Sequence, residues 1–442
     1  MTTREIPLAL PDIPQYVTEE FDDGDTTVQR TILECGTRIL TQRVPATRSV
    51  SVGMWVPVGS RDELPQHAGS THFLEHLLFK GTSTRSALDI AVAFDAVGGE
   101  SNAETGKETT SYWARVVDED AHMASRVLLD MLTDSLIDPA EFEVERGVIL
   151  DELAMNEDSP VDLVHEAFQR AVHGDTPLGR PVGGTPEAIR AVGRDDVWQH
   201  YRSTYAPNNL IVAASGNIDH EALVDLVGQS LASSSWAASA GQAALPRPRR
   251  TTLRDAPSCG SGEEVRSRDV EQAHLVIGSA SMRGDDERRP VMNVLLTVLG
   301  GSMSSRLFQE VREKRGLAYT TYAFDAAYSD AGAFGMYAGT SPTRIAEVEA
   351  VMRGQLEDLA EYGPTEEELA RVRGQVRGGL ALGMESNWAR MSRLGRAEVN
   401  GRYRTVARSL HAINEVTAEQ VRALAAELAS AEPARALVVP KN

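Results

Sequence analysis

The alternation of apolar and polar residues predicts a chain built from both strands and helices. Residues 48–58 alternate and are rich in β-branched side chains, which is typical of a strand. Residues 120–136 and 139–156 carry apolar side chains at helical spacing, and residues 209–216 form the apolar run expected of a buried strand. The first half of the chain is therefore predicted to have an α+β fold.

The same order of elements starts again in the second half. Residues 271–278 predict a strand, 290–299 a helix, and 316–339 two strands around a turn. The helix that opens at Pro364 resembles the one that opens at Pro139, because acidic residues follow a proline of the first turn in both. This parallel indicates an internal duplication of about 200 residues. It predicts two homologous α/β-sandwich domains.

Changes in composition along the chain set the expected boundaries. A polar, proline-containing extension is predicted over residues 1–28, and a first domain over residues 29–232. Residues 233–252 are predicted to be a linker, because they are rich in serine and alanine and end in a proline- and arginine-rich stretch. A second domain is predicted over residues 253–442.

Overall composition and charge narrow the class of protein. Of the 442 residues, 42% are hydrophobic and 24% are charged, as in soluble globular proteins. The net charge of −20 opposes binding to nucleic acid or to anionic membranes and would attract cationic peptides, although acidity by itself also keeps a protein soluble. No apolar run approaches the ~18 residues that cross a bilayer. The N-terminus lacks a signal-peptide pattern, and two cysteines are too few for a disulfide framework, so a cytoplasmic location is predicted.

One short motif carries the strongest chemical signal in the chain. His72, Glu75 and His76 form the pattern H-x-x-E-H, and these three positions share one face of a helix. Two imidazoles on one face suit zinc, and the glutamate between them could take a proton from a water molecule. The alternative is two surface histidines on an amphipathic helix. Apolar neighbours, among them Phe73 and Leu74, indicate a buried helix and favour the metal site.

A third zinc ligand is expected from another helix. Glu145 and Glu152 are seven residues apart, which is two helical turns and therefore one helix face. An ordinary charged helix would also show this spacing, so the pair indicates a metal ligand only because the chain also contains the H-x-x-E-H motif. The second half of the sequence has no H-x-x-E-H motif, and one zinc ion per chain is predicted.

Three segments together resemble a known family. They are residues 72–82, residues 145–152 and residues 304–319. In this order they resemble the pitrilysin or insulinase family (M16 type) of inverted zinc metallopeptidases. The likeness is greatest to the two-domain members that include the mitochondrial processing peptidase β-subunit and its bacterial relatives. The resemblance implies that His72, His76 and Glu152 bind zinc.

The same resemblance implies roles for further residues. Glu75 would be the general base, and Glu145 an accessory acid that orients a ligand histidine. Residues 102–104 (Asn102, Ala103 and Glu104) resemble the edge strand on which the family binds the substrate backbone, and a plain solvent-facing hairpin is the alternative. Arg312 and Tyr319 resemble a pair that donates hydrogen bonds to the oxyanion. Their alternative roles are a surface ion pair and a strand core residue.

The resemblance also implies an assembly. The two domains would form half of a clam-shell peptidase chamber, and a second chain would supply the other half, as a homodimer or as a heterodimer with a related subunit. A zinc metalloendopeptidase acting on unfolded peptides is thus predicted. The competing prediction is a non-catalytic structural or partner subunit of the same fold. The intact set of His72, Glu75, His76 and Glu152 favours the enzyme over that subunit. A zinc hydrolase of non-peptide substrates lacks support from the edge-strand segment.

Overall fold

The computed structural model describes residues 17–24, 26–248, 250, 262–401 and 403–441. Its strands are β1 Val17–Asp23, β2 Thr26–Ile32, β3 Arg38–Arg43, β4 Ser49–Val56, β5 Glu100–Thr105, β6 Thr110–Val117, β7 Ile211–Gly216, β8 Glu263–Arg268, β9 Ala273–Ala280, β10 Ala318–Ala327, β11 Gly332–Thr340 and β12 Pro433–Pro440. They form a seven-stranded sheet in the order β1-β2-β3-β7-β4-β6-β5 and a five-stranded sheet in the order β10-β11-β9-β12-β8. The predicted two-domain α/β fold therefore has one mixed sheet in each compact unit.

Helices surround both sheets. They are α1 Ser70–Leu78, α2 Ala87–Asp95, α3 Ala121–Asp134, α4 Pro139–Glu157, α5 Pro160–His173, α6 Pro186–Ala191, α7 Arg194–Thr204, α8 His220–Ser233, α9 Ala237–Ala240, α10 Arg289–Gly300, α11 Ile345–Tyr362, α12 Glu366–Gly383, α13 Asn387–Asn400, α14 Val406–Asn414 and α15 Ala418–Ser430. None of the helices among the described residues combines the length and apolar character needed to cross a membrane.

The division into two units is discontinuous along the chain. The first unit comprises Met1–Asp151, Pro181–Arg249 and Leu380–Ala407, and the second comprises Glu152–Arg180, Arg250–Gly379 and Arg408–Asn442. The predicted ranges 29–232 and 253–442 are continuous, so this division differs from them at residues 152–180 and 380–407. Both exceptions contain helices that pack on the sheet of the other half of the sequence.

In the first unit, helix α13 packs against strands β3, β4 and β7. Trp55 of β4 shares an apolar cluster with Met391 and Leu394 of α13. The alternate residues of β4, such as Val52 and Met54, point away from that cluster and are also fully buried. The opposite face of the sheet is therefore covered as well, and helix α3 contacts β4 and β6 there.

In the second unit, the strand residues alternate between two apolar clusters. Val276 of β9 packs with Phe168 of helix α5. Its neighbours Leu275 and Ile277 point to the other face and pack with side chains of α10, α11 and α15. Helix α5 thus covers a sheet whose strands all come from the second half of the sequence.

Two stretches predicted to be irregular contain regular structure. Residues 17–23 form β1, although they are rich in acidic side chains, and residues 26–28 begin β2. Polar residues are accommodated because partners satisfy them: Glu19 pairs with Arg30 at 2.5 Å, and Asp23 accepts a hydrogen bond from Arg393 at 2.7 Å. Within the predicted linker, Trp236 is buried beside helix α9. Residues 1–16 and 25 of the predicted extension, residues 249 and 251–252 of the predicted linker, and residues 253–261, 402 and 442 of the predicted second domain lie outside the described residues.

Candidate metal centre

Helix α1 carries the H-x-x-E-H motif, and most of its side chains are buried. Gly69, directly before the helix, has φ = +94°, and a Cβ there would lie 2.6 Å from the carbonyl oxygen of Gly183, so both backbone conformation and space favour glycine. The Glu63 carboxylate accepts hydrogen bonds from the backbone N–H groups of Gly69 (2.8 Å) and Thr71 (2.7 Å). It thereby satisfies donors that the first turn of a helix leaves open.

The second helix of the site is α4. Phe73 of α1 stacks on Phe142 of α4 with ring centroids 4.3 Å apart, and the Arg146 guanidinium lies 4.9 Å from the centre of the Phe142 ring. This packing fixes α4 against the motif helix. The division between the units falls between Asp151 and Glu152, inside this continuous helix, so Glu152 keeps the position that the helix gives it relative to Glu145.

Three candidate ligands converge. One donor atom each of His72, His76 and Glu152 lies within 4.8 Å of the others, and all three side chains are half-buried. The rings of the two histidines meet edge to face, with centroids 4.7 Å apart. Ligand atoms of a tetrahedral zinc site are about 3.4 Å apart, so small side-chain adjustments would bring this donor set around one ion. Among the described residues, no other group of three histidine, cysteine or carboxylate side chains has this arrangement.

Glu145 lies behind the candidate ligands and is only 2% exposed. Its Oε2 lies 3.0 Å from Nδ1 of His76, and its Oε1 lies 2.6 Å from Nζ of Lys80. An Nδ1–H group that donates to a carboxylate leaves Nε2 of the same imidazole to face a metal ion. The contact therefore selects both the tautomer and the ring orientation of His76. Lys80 was not predicted, because a lysine four residues after a histidine carries no metal-site signal.

Glu75, the predicted general base, contacts the neighbouring edge strand. The hydroxyl of Thr105 donates a hydrogen bond to its Oε2. Close to Glu75, the hydroxyl groups of Tyr112 and Tyr205 are 3.0 Å apart and buried. Burial raises the pKa of both phenols above the usual value, and the nearby charge of Glu75 adds to this effect. Thr105 was not predicted from the sequence, although its position directly after residues 102–104 in the same strand is a signal that could have found it.

The predicted substrate-binding residues lie on strand β5, which is the edge of its sheet and pairs with β6 alone. Side chains alternate along it: Ala103 and Thr105 are half-buried, whereas Asn102 and Glu104 are exposed. The Oδ1 of Asn102 accepts a hydrogen bond from the backbone N–H of Ala103 at 2.8 Å. The geometric requirement for adding a further strand, an edge position, is met.

Arg312 and Tyr319 come together within the second unit. Arg312 lies in the π-helical segment Phe308–Glu313, and its guanidinium is 4.6 Å from the ring centres of both Phe308 and Tyr319. Its Nη1 also donates to the backbone oxygen of Tyr319 at 3.2 Å. Tyr319 is 76% exposed, so the alternative of a strand core residue is wrong. The stacked guanidinium holds an exposed phenol in place.

The fold and the donor set define a two-domain α/β protein with an inverted zinc-binding motif. Residues 38–186 match the family model described as Insulinase (Peptidase family M16), and residues 191–376 match the model described as Peptidase M16 inactive domain. Together the two matches cover most of the chain. The chain belongs to peptidase family M16, the insulinase family.

Related proteins align with nearly the whole chain. An "uncharacterized zinc protease" of Streptomyces coelicolor is 46% identical over 95% of this chain and 91% of the relative. A protein of the same description from Mycobacterium leprae is 44% identical, with 93% and 92% covered. YmxG of Bacillus subtilis, also described as an uncharacterized zinc protease, is 37% identical, with 94% and 99% covered.

Solved structures share the fold. A protease from Helicobacter pylori superposes with a TM-score of 0.86 at 20% identity, covering 93% of this chain and 99% of that one. A structure from Pseudomonas fluorescens, described as a peptidase M16 inactive domain, gives a TM-score of 0.82 at 17% identity, with 94% and 98% covered. These likenesses establish the two-domain α/β fold.

Proposed function

We propose that the chain is a zinc metalloendopeptidase that hydrolyses unfolded peptides. The observation that carries the proposal is the convergence of donor atoms from His72, His76 and Glu152 within 4.8 Å, with Glu75 on the same helix as the two histidines. Two imidazoles and one carboxylate are the donor types of catalytic zinc sites, which keep a fourth position open for water.

Each residue of the site has a distinct task in this proposal. His72, His76 and Glu152 would hold zinc, which when bound lowers the pKa of water and polarises a carbonyl group. Glu75 takes the proton of the attacking water and passes it to the leaving amine. Glu145 keeps the ring of His76 oriented through the 3.0 Å contact with Nδ1.

The substrate proposal follows from strand β5 and from the charge of the chain. A peptide that adds to the free edge of β5 gains main-chain hydrogen bonds, which requires an extended and therefore unfolded segment but little sequence preference. The net charge of −20 favours basic peptides in the encounter. Unfolded, basic peptides are the proposed substrate class.

The test compares wild type with Glu75→Gln on a fluorogenic basic peptide, with zinc content measured on both proteins. We expect cleavage by wild type and none by Glu75→Gln, although both hold one zinc ion per chain. Glu143→Gln is the matched control, since Glu143 lies exposed on α4 and pairs with Arg146. A zinc-loaded wild type that cleaves none of a diverse set of such peptides would favour the non-catalytic subunit instead.

The proposal extends to the assembly. A second copy or a related chain would complete the chamber, with Arg312 and Tyr319 of one chain serving the zinc site of its partner as hydrogen-bond donors to the oxyanion. In a homodimer, mixing Glu75→Gln with Tyr319→Phe should restore about a quarter of wild-type activity, because half of the dimers are mixed and each holds one complete site. Mixing that restores nothing, although subunit exchange is verified, would contradict this arrangement.

A further inference from the structure

We infer that Thr105 is a positioning residue for Glu75 and ties the general base to the substrate-binding edge strand. The inference rests on the proposed function, but its observation is separate: the Thr105 hydroxyl on β5 donates to Oε2 of Glu75 on α1. The last torsion of a glutamate side chain is broad, so an unrestrained carboxylate samples many orientations. A hydrogen bond from a neighbouring strand limits that rotation.

Thr105 can position another group only if it is itself held rigidly. It is the last residue of β5 and pairs with Thr110 of β6, directly before the hairpin turn. Within the turn, the N–H of Gly106 donates to the carbonyl oxygen of Thr109 at 2.8 Å. The Thr110 hydroxyl donates to the carbonyl oxygen of Val58 at 3.0 Å, which fixes the end of the hairpin to the preceding loop.

The segment Gly59–Glu63, which we call the bracket, holds the hairpin turn from outside. The N–H of Ser60 donates to the carbonyl oxygen of Gly106 at 3.1 Å, and the N–H of Arg61 donates to that of Lys107 at 3.0 Å. The Arg61 side chain also pairs with Glu108, and both side chains are largely shielded from solvent. Main-chain hydrogen bonds and a side-chain ion pair therefore both attach the bracket to the hairpin turn.

The bracket also holds the start of helix α1. Its last residue, Glu63, accepts the N–H groups of Gly69 and Thr71 at 2.8 and 2.7 Å. One five-residue segment thus anchors both the helix that carries Glu75 and the hairpin that carries Thr105. The spacing between base and edge strand is set by this shared anchor rather than by the Thr105 contact alone.

This arrangement couples substrate binding to the general base. A peptide that pairs with the free edge of β5 restricts the motion of that strand. Because Thr105 belongs to the strand and donates to Glu75, the Glu75 carboxylate is then restrained as well. Thr105 would act on the chemical step and leave the affinity for the peptide and for zinc nearly unchanged.

The kinetic test uses Thr105→Val, which keeps the shape of the side chain and removes the donor, and Thr105→Ser, which restores a hydroxyl. We expect kcat of Thr105→Val to fall about tenfold, with KM within twofold and zinc content unchanged, and we expect Thr105→Ser to recover most of the loss. Thr27→Val, on strand β2 near the opposite edge of the same sheet, is the control and should match wild type. A loss confined to KM, or a kcat of Thr105→Val within twofold of wild type, would overturn the inference.

A second test needs neither zinc nor activity. In the metal-free protein, Thr105→Val should lower Tm in the wild-type background but not in the Glu75→Ala background, because the bonded partner is then absent. Equal lowering in both backgrounds would refute the contact. If Glu75→Gln cleaves as well as wild type, the proposed function and the positioning role both fail. If Glu75→Gln is inactive and Thr105→Val is not impaired, only the positioning role fails.

Discussion

Replacement of Glu145 by glutamine tests how the protein orients a zinc ligand. The wild-type carboxylate lies 3.0 Å from Nδ1 of His76 and 2.6 Å from Nζ of Lys80, and it is almost completely buried. Glutamine has nearly the same shape but carries no charge, and its amide can present a donor where His76 needs an acceptor. The His76 ring would then lose its preferred tautomer and orientation.

The expected loss is in zinc affinity. Removing a hydrogen-bond partner behind a ligand histidine weakens zinc binding by about 10- to 100-fold, which corresponds to about 1.4 to 2.8 kcal/mol. The loss of folding stability should be smaller. The side chain of Lys80 is 30% exposed, so its ammonium group can be hydrated when its partner is neutral.

A competition titration with a chromophoric chelator measures the affinity directly. Glu145→Gln should release zinc at a chelator concentration about 10- to 100-fold lower than wild type does. Glu143→Gln, an exposed change of the same kind on the same helix, should bind zinc as wild type does. A Glu145→Gln protein with an affinity within twofold of wild type would refute the argument that Glu145 orients His76.

Two further predictions concern stability. Burial lowers the pKa of His220 from 6.5 to about 4, so the unfolded chain binds the proton more readily and the free energy of unfolding falls by up to about 3 kcal/mol as pH decreases from 6.5 to 4. Chemical denaturation at several pH values should show that His220→Gln lacks this component, and an identical pH slope in both proteins would contradict it. In Gly59→Ala, the new Cβ would lie 2.4 Å from the carbonyl oxygen of Gly106, and displacement of the hairpin should cost about 1–3 kcal/mol and lower kcat/KM. Gly228→Ala, where a Cβ meets open space on helix α8, should not be destabilised in the same thermal melt, and a Gly59→Ala protein as stable as wild type would contradict the close contact.

Local periodicity accounts for the parts of the fold that were predicted well. The alternation over residues 48–58 corresponds to β4, and the helical spacing over residues 139–156 corresponds to α4. Both patterns arise because each strand or helix buries one or two faces, and a window of ten to twenty residues is enough to show this. The strand at residues 17–23 was not predicted, because its acidic side chains pair with residues that no local pattern identifies, such as Asp23 with Arg393.

In the candidate metal centre, too, local spacing predicts some features and contacts between distant residues set the others. Helical spacing is a local property, so the sequence is enough to predict that His72, Glu75 and His76 share a helix face and that Glu145 and Glu152 share another. Which atoms of these two helices meet is visible only in the folded chain.

The contacts that support the site could come only from the folded chain. Thr105 is 30 residues from Glu75, and helix α5 covers a sheet formed by the second half of the sequence. Strand pairing and helix packing join residues that are distant along the chain, and no local pattern specifies the partner of an edge strand. Local sequence patterns are therefore enough to predict the chemistry that the site can hold. The placement of its base, ligands and edge strand is seen only in the folded chain, because those distances depend on long-range packing.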